Sequence, residues 1–458
     1  MNKKNRLLLL LLFILLQSNF LFAQNTISYK EFISKIKNQL PQIQKTQLSI
    51  KLAENKIKQA SSITDPVLNF NTNLMQEYQY TATTRNYIHG FGVGAEITQK
   101  NIENGTSLQY GIASFFGDYK VPQIYINYSY PLFYNSGGMQ DKFAIYAAQN
   151  NFDLEKWKQL ESDTQILNQY KKLYFQWIQT KTAINLLKKS IINAKNLRKN
   201  AKAKYKSGLI DLDDVEKTES LIIKYQNQLV QYQISLNKLL ASIKPYINNL
   251  KLIPNDSDMR DQITKINTKN LSAMNIKNNS SFKVYELQKQ YFNEYKKVLE
   301  NRLTPKTDLN LQVALKGRDE SFYQSVRNFE DLDYSAAIVI SMPIEKAKEK
   351  ADLEALDIST KLLEQNILQN TNLLQSQRDQ IIANIEGQQN QLILSQKNLK
   401  NLNKRYKIEA GKYDKARLNL SFLIETQNAI ISEKINTINL KLNIIFNYLD
   451  LALVSGVE

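Results

Sequence analysis

The sequence PVLNFNTNL at residues 66–74 is followed, 239 residues later, by PKTDLNLQV at residues 305–313. Each stretch opens with a proline and then alternates apolar with polar side chains, which is the pattern of a strand with one covered face. The same shift aligns Gln42–Leu74 with Ser281–Val313, so a helical pattern leads into the strand in both copies. The chain is therefore predicted to contain two structural repeats.

A second strand and a long helical pattern follow in each copy. The second strands read IYINYSYPLF at residues 124–133 and AAIVISMPI at residues 336–344, and Pro131 and Pro343 mark the predicted strand-to-helix exits. Apolar residues then recur in heptads, including Leu187, Ile191 and Ala194 in the first copy. Heptads sustained over this length predict antiparallel coiled-coil hairpins.

These patterns give a complete prediction of the domain organisation. The predicted segments are a signal peptide at 1–23, a first repeat at 24–249 with strands at about 66–80 and 121–132 and a hairpin tip near 208, a polar linker or equatorial segment at 250–279, and a second repeat at 280–458 with strands at about 305–316 and 333–343 and a tip near 411.

The N-terminus has the pattern of an export signal. Lys3, Lys4 and Arg6 precede the apolar run Leu7–Leu16, and Ala23 lies at the predicted cleavage point. Ten apolar residues span only about half of a bilayer core as a helix, so a permanent anchor is not expected. The protein is therefore predicted to be exported.

The composition argues against an enzyme. The chain of 458 residues has no Cys, one His, 13 Gly and 8 Pro. Disulfides, thiolate metal sites and most His-based catalysis are excluded, and scarce turn residues favour long elements. No catalytic, cofactor or metal site is predicted. The net charge of +17 comes from lysines spread along helical patterns, so no nucleic-acid partner is expected either.

Aromatic residues concentrate where the first strands are predicted. Thirteen lie between Tyr78 and Tyr134, and alternating strands rich in tyrosine fit a membrane β-barrel better than a soluble sandwich. A barrel in lipid must close, and four strands are too few to do so. Three chains giving four strands each would make a twelve-stranded barrel.

Two further alternating stretches, at 88–98 and 106–116, leave a choice. They add two strands to each chain, or they form a hairpin that projects from the barrel. The projecting hairpin is the preferred interpretation.

The order of several motifs resembles the TolC-like outer-membrane efflux protein family. The passages NQLPQI at 38–43, SYPLF at 129–133 and YKSGL at 205–209, the last followed by Asp214 and Val215, carry the resemblance over about residues 26–454. It implies a mainly α fold with a β-barrel portion, in which two tandem repeats of long antiparallel helices and strand pairs trimerise into a twelve-stranded outer-membrane barrel and a periplasmic α-helical barrel.

The resemblance also assigns roles to the two hairpin tips. The first tip is expected to dock a periplasmic adaptor protein, and the second to contribute to a gate at the entrance. The predicted docking residues are Tyr205, Gly208, Leu209, Asp214 and Val215, with Leu209 and Val215 as exposed apolar contacts; the predicted second-tip or gate residues are Tyr406, Gly411, Tyr413 and Arg417, with Asp211 and Asp213 opposite them.

The predicted function is therefore a passive, trimeric exit duct of a tripartite efflux or type I secretion system. Its partners would be an adaptor, an inner-membrane pump of the RND, ABC or MFS type, and outer-membrane lipid. The alternative is a structural or adhesive coiled-coil protein of the envelope that has no pore.

Overall fold

The computed structural model describes residues 26–80, 83–247, 252–266, 268–415 and 417–457, so the predicted signal peptide lies outside the described residues. In chain order the elements are β1 Thr26–Ile27, α1 Tyr29–Gln39, α2 Pro41–Ser61, β2 Val67–Tyr80, β3 Arg85–Asn101, β4 Thr106–Phe116, β5 Lys120–Pro131, α3 Met139–Lys206, α4 Leu212–Ile243, β6 Ile253–Pro254, α5 Asp256–Lys265, α6 Thr268–Ala273, α7 Ser280–Arg302, β7 Lys306–Gly317, α8 Phe322–Arg327, β8 Phe329–Ser341, α9 Ala347–Asp414 and α10 Leu420–Ser455.

The chain divides into two compact units. The first, a helical unit, contains the described residues within Met1–Thr46, Leu160–Ser280 and Asn370–Glu458. The second, a sheet unit, contains Gln47–Gln159 and Ser281–Gln369. The prediction of a mainly helical protein with a strand portion is confirmed.

The helical unit buries the predicted heptad residues. Those that are buried are Tyr174, Trp177, Ile184, Leu187, Ile191, Ala194 and Ala201 of α3, Val215, Ile222, Tyr225, Leu239 and Ile243 of α4, Ile385 and Leu392 of α9, and Ile431, Leu442, Ile445 and Leu449 of α10. Because a heptad repeat holds one stripe toward a partner helix, the long helices cover each other's apolar faces.

Residues of the predicted linker or equatorial segment complete this core. Met259, Leu271 and Ile276 are buried, and β6 pairs in parallel with β1. The hydroxyl of Tyr174 donates a 2.5 Å hydrogen bond to Asp258 Oδ2. The segment is therefore a packed part of the helical unit.

The sheet unit holds a single six-stranded sheet with the order β2-β3-β4-β5-β7-β8, in which every neighbouring pair is antiparallel. The prediction of four strands per chain and the preference for a projecting hairpin are therefore wrong. Strands β3 and β4 lie between β2 and β5 and are hydrogen-bonded on both sides. The preference failed because alternation identifies a strand but does not show which strands it pairs with.

The second helical reversal also differs from its prediction. Helix α9 continues through Gly411 to Asp414, and α10 starts at Leu420. Asn419 caps α10 by accepting a 2.7 Å hydrogen bond from the Ser421 N–H. The turn therefore lies a few residues beyond Gly411, whose backbone remains helical.

Within the described part of the chain, no helix carries an apolar stretch long enough to cross a bilayer.

Candidate functional site

One face of the six-stranded sheet is apolar on every strand. The strand register places the following side chains on this face: Leu68, Phe70, Leu74, Phe91, Val93, Ile97, Leu108, Tyr110, Ile112, Ile124, Ile126, Tyr128, Leu309, Leu311, Val313, Leu332, Tyr334, Ile338 and Ile340. Leu74 is 88% exposed and Tyr334 is 83% exposed. An apolar surface of this extent marks an interaction with a membrane or with another protein.

The opposite face of the same strands is polar. It carries Asn69, Asn71, Asn73, Glu96, Ser107, Gln109, Gln123, Asn127, Asn310, Gln312 and Ser335. In β5 the apolar side chains of Ile124 and Ile126 are exposed, whereas Tyr125 between them is buried on the polar face. This is the reverse of a soluble sheet, which buries its apolar face against a core. It matches a membrane barrel, whose outside is apolar and whose interior is polar.

Side chains on the polar face tie the strands together. The Tyr125 hydroxyl donates a 2.8 Å hydrogen bond to Glu96 Oε2, and the two residues lie on β5 and β3. Gly111 of β4 stands between them in the register. A Cβ at Gly111 would lie 2.9 Å from Glu96 Cβ, so glycine leaves the space that this bridge needs.

Strands β2 and β8 form the two edges of the sheet. They are 14 and 13 residues long, and each carries the apolar face to its edge through Phe70 on β2 and Ile338 on β8. Long apolar edge strands pair readily with another chain, and none survives unpaired in lipid.

The first helical hairpin, α3 and α4, reverses at Gly208, which has a φ of 69°. The Leu209 N–H donates a 3.0 Å hydrogen bond to the Lys204 carbonyl, and the Gly208 N–H donates a 2.9 Å bond to the Tyr205 carbonyl. This is a Schellman motif, which favours glycine at the left-handed position. Tyr205 and Leu209 are exposed beside this turn, as is Leu212, which the sequence analysis did not identify.

Two of the predicted docking residues are not at the surface. Val215 is 4% exposed, and it packs in a cluster with Ala201, Tyr413, Leu420 and Leu423; Asp214 is also buried. The expectation that Val215 offers an exposed apolar contact is therefore wrong. The reason is that α9 and α10 cover the first turn of α4, which the pattern of one hairpin alone does not reveal.

The charged residues at the hairpin ends pair within their own helices. Lys217 Nζ lies 2.6 Å from Asp213 Oδ2 and 3.4 Å from Asp214 Oδ1. Arg405 pairs with Glu409 at 2.6 Å, while Asp211 and Arg417 are exposed. Asp211 occupies the N-cap position of α4 without a side-chain capping bond.

Tyr413 and Tyr406 lie inside the hairpin ends. Lys204 Nζ stands 3.8 Å from the centre of the Tyr413 ring and donates to the Tyr413 carbonyl. Burial raises the pKa of Tyr413, and the carboxylates of Asp214 and Asp414 raise it further. Burial also raises the pKa of Tyr406. Both tyrosines therefore remain neutral at physiological pH, and any contact they make there is not ionic.

The two predicted strand-to-helix exits lie at or near the ends of strands. Pro131 is the last residue of β5 and is buried, and Pro343 is exposed between β8 and α9. His89 lies on β3, with its Nε2 3.9 Å from Asp118 Oδ1, and both side chains are largely exposed. Among the described residues there is no cluster of His, Asp and Glu that could hold a metal ion.

Several solved structures have a fold similar to that of this chain. No protein-family profile and no curated protein matches the sequence. The outer membrane protein VceC from Vibrio cholerae aligns with 94% of this chain and 96% of its own length, at 10% identity and a TM-score of 0.66. The MtrE outer membrane channel from Neisseria gonorrhoeae aligns with 94% of this chain and 89% of its own, at 13% identity and a TM-score of 0.66.

CusC, whose structures describe transmembrane channel formation, aligns with 94% of this chain and 92% of its own, at 12% identity and a TM-score of 0.67. At such identities the likeness concerns the fold. The resemblance found in the sequence is confirmed at that level: the chain has the fold of the TolC-like outer-membrane channels.

Proposed function

We propose that the protein is the outer-membrane exit duct of a tripartite efflux or type I secretion system. It conducts its cargo passively, and the energy comes from an inner-membrane pump of the RND, ABC or MFS type. The sheet spans the outer membrane, and the long helices extend into the periplasm.

The observation that carries the proposal is the two-faced sheet. Its apolar face is exposed on all six strands, its other face is polar, and its edges are free within the described chain. Such a sheet is unsuited to water unless something covers it, and it suits lipid on one side and an aqueous channel on the other. The solved structures with the same fold include outer-membrane channels.

The duct is assembled from identical chains, for which we propose three copies. The strands alternate in direction and their number is even, so β8 of one chain runs opposite to β2 of the next. Copies can thus continue one antiparallel sheet head to tail until it closes.

The first hairpin end supports adaptor docking. Tyr205, Leu209 and Leu212 form an exposed group around the Gly208 turn, and an apolar patch at the end of a helical hairpin suits a partner's helices. Asp214 and Val215 contribute by holding that turn on the buried cluster of the helical unit.

The second hairpin end is proposed to line the entrance with Gly411 and Arg417, facing Asp211 and Asp213 of the first, while Tyr406 and the buried Tyr413 hold this end on the cluster. Asp213 already pairs with Lys217. If the carboxylates of Asp211 and Asp213 also hold the entrance closed, as proposed here, the double variant Asp211→Asn/Asp213→Asn should raise single-channel conductance in planar bilayers. The variant Lys283→Gln, which changes an exposed charge on α7, is the matched control. Unchanged conductance would remove the two aspartates from the gate.

The function itself is tested on purified protein reconstituted from detergent. The duct predicts a trimer by native mass spectrometry and discrete pores in planar bilayers. A monomer that remains soluble without detergent and forms no pores would contradict it. That outcome would favour the envelope stalk, which needs no sheet of this kind.

A further inference from the structure

We propose that strands β3 and β4 are part of the membrane wall, so that three copies of the chain close a barrel of eighteen strands in place of twelve. The inference rests on the proposed function, since it concerns the same duct, but it can fail separately. Its partner is a second copy of this chain, which pairs β2 with β8 of its neighbour.

The first argument is the continuity of the apolar face. Strand β4 presents Leu108, Tyr110 and Ile112 on that face, and β3 presents Phe91 and Val93. All five are exposed, with Ile112 60% exposed, as are the neighbouring apolar residues of β5. A hairpin surrounded by water would expose this apolar face to solvent, which is unfavourable, whereas a face continuous with those of β2 and β5 can contact lipid.

The second argument is the length of the strands. Strand β3 has 17 residues and β4 has 11, and a strand needs about 9–11 residues to cross a bilayer. Strand β4 pairs with β5 from Ser107 opposite Ser129 to Phe116 opposite Lys120. The two added strands therefore cover the same depth as the flanking ones.

The third argument is the polar bridge that holds β4 in place. The Tyr125–Glu96 hydrogen bond crosses β4 above Gly111, and Asn127 Nδ2 donates to Gln109 Oε1 at 3.4 Å. Hence β3 and β4 are bound to β5 by side chains as well as by the backbone. A projecting hairpin would lose all of these contacts.

The even number of strands permits closure. Adding a hairpin adds two strands, so β2 and β8 still run in opposite directions and the head-to-tail junction stays antiparallel. Because barrel diameter grows roughly linearly with strand number, eighteen strands give about 1.5 times the diameter of twelve. Barrels of 16–18 strands leave an open aqueous channel.

The wall position is tested by thiol labelling of the trimer in lipid vesicles with a membrane-impermeant maleimide. The chain has no Cys, so each single-Cys variant carries one thiol. Labelling should occur for Gln109→Cys and Ala113→Cys on the polar face and be lost for Tyr110→Cys and Ile112→Cys on the apolar face. On β7, Gln312→Cys should be labelled and Val313→Cys should not.

Comparing the β4 variants with the β7 variants distinguishes failure of the eighteen-stranded wall from failure of the proposed function. If β7 alternates but all four β4 variants are labelled alike, the hairpin lies in water and the eighteen-stranded wall is wrong, while the duct remains. If β7 does not alternate either, the sheet does not span a membrane, and the proposed function fails.

Closure is tested by disulfide formation between copies. Double variants combine Ser335→Cys or Ala337→Cys on β8 with Asn69→Cys, Asn71→Cys or Asn73→Cys on β2, all on the polar face. One of these combinations should give covalent trimers under oxidising, denaturing conditions, and each single variant should not. Failure of every combination in a labelled, alternating sheet would overturn the β2–β8 junction.

Discussion

The two repeats of this chain differ in how much sheet they carry. The first repeat contributes β2 to β5, whereas the second contributes only β7 and β8, joined through the short helix α8. The outer strands of the first repeat, β2 and β5, correspond to β7 and β8, and β3 and β4 are inserted between them. The difference shows that a repeat can gain a hairpin inside its sheet while its flanking strands and helices keep their order.

The hairpin ends of the repeats differ as well. The first turns at a single glycine with positive φ, whereas the second leads from Asp414, where α9 ends, to Asn419, which caps α10. Both ends nevertheless contribute to the same buried cluster, which contains Val215 from the first and Leu423 from the second.

The largest effect is expected from a charge on the apolar face of the sheet. Ile112→Lys in the inserted β4 and Val313→Lys in β7 should each destabilise the protein by about 2–4 kcal/mol, because a lysine near the middle of the bilayer loses its hydration. Gln109→Lys on the polar face should cost much less. Urea unfolding in lipid vesicles measures all three. A small loss for Ile112→Lys beside a large loss for Val313→Lys would show that the inserted strand β4 lies outside the membrane.

An effect of similar size is expected in the cluster shared by the hairpin ends. Leu423→Ala should cost about 2–4 kcal/mol, because Leu423 is 2% exposed and its removal leaves a cavity. Leu212→Ala, at an exposed leucine of the first end, should stay within about 0.5 kcal/mol. Urea unfolding of the detergent-solubilised protein compares them. Equal losses would mean that Leu423 is not buried in the cluster.

The two glycines at the hairpin ends should respond with opposite signs. Gly208→Ala should destabilise by about 1–2 kcal/mol, because its φ of 69° disfavours a side chain. Gly411→Ala should stabilise by about 0.5–1 kcal/mol, because Gly411 lies in a helix where a Cβ would meet no atom within 4 Å. Thermal unfolding by circular dichroism measures both. A loss at Gly411 would place the second turn at that residue after all.

The smallest effect concerns alkaline pH. Burial raises the pKa of Tyr225 on α4, and its hydroxyl has no hydrogen-bond partner among the described residues. The unfolded chain loses this proton near pH 10 and the folded chain at higher pH, so the stability present below pH 10 is lost as the pH rises.

Tyr225→Phe should therefore change the free energy of unfolding little at pH 8. Between pH 10 and 11, the decrease in that free energy should be about 1 kcal/mol smaller in the variant than in the unchanged protein. Tyr205→Phe, at the exposed first tip, is the control. The pH dependence of urea unfolding provides the measurement. An unchanged alkaline slope in Tyr225→Phe would show that the hydroxyl ionises equally well in both states.

The repeats, the long helices and the polarity of the strands could be predicted because each depends on a local period. The alternation at 66–74 and 305–313 belongs to strands β2 and β7. The heptad residues Leu187 and Ile431 are buried together in one cluster of the helical unit.

What could not be predicted depends on distant parts of the chain. The burial of Val215 is caused by Tyr413 and Leu420, about 200 residues away in sequence, and no local pattern encodes it. The position of the inserted strands could not be predicted, because alternation identifies a strand but not its neighbours in the sheet. In the sheet, Gly92 and Gly94 of β3 make room for Asn73 and Asn71 of β2. A signal was available in that pairing, since asparagine and glycine alternate in step on the two strands.

The even number of strands has a consequence for how such a conduit can vary in bore. An odd strand would leave two parallel edges facing each other at the junction, so a fully antiparallel wall can widen only by whole hairpins in each subunit. In the proposed ring of three subunits the circumference then changes in steps of six strands. A duct built in this way would therefore take one of a few discrete diameters.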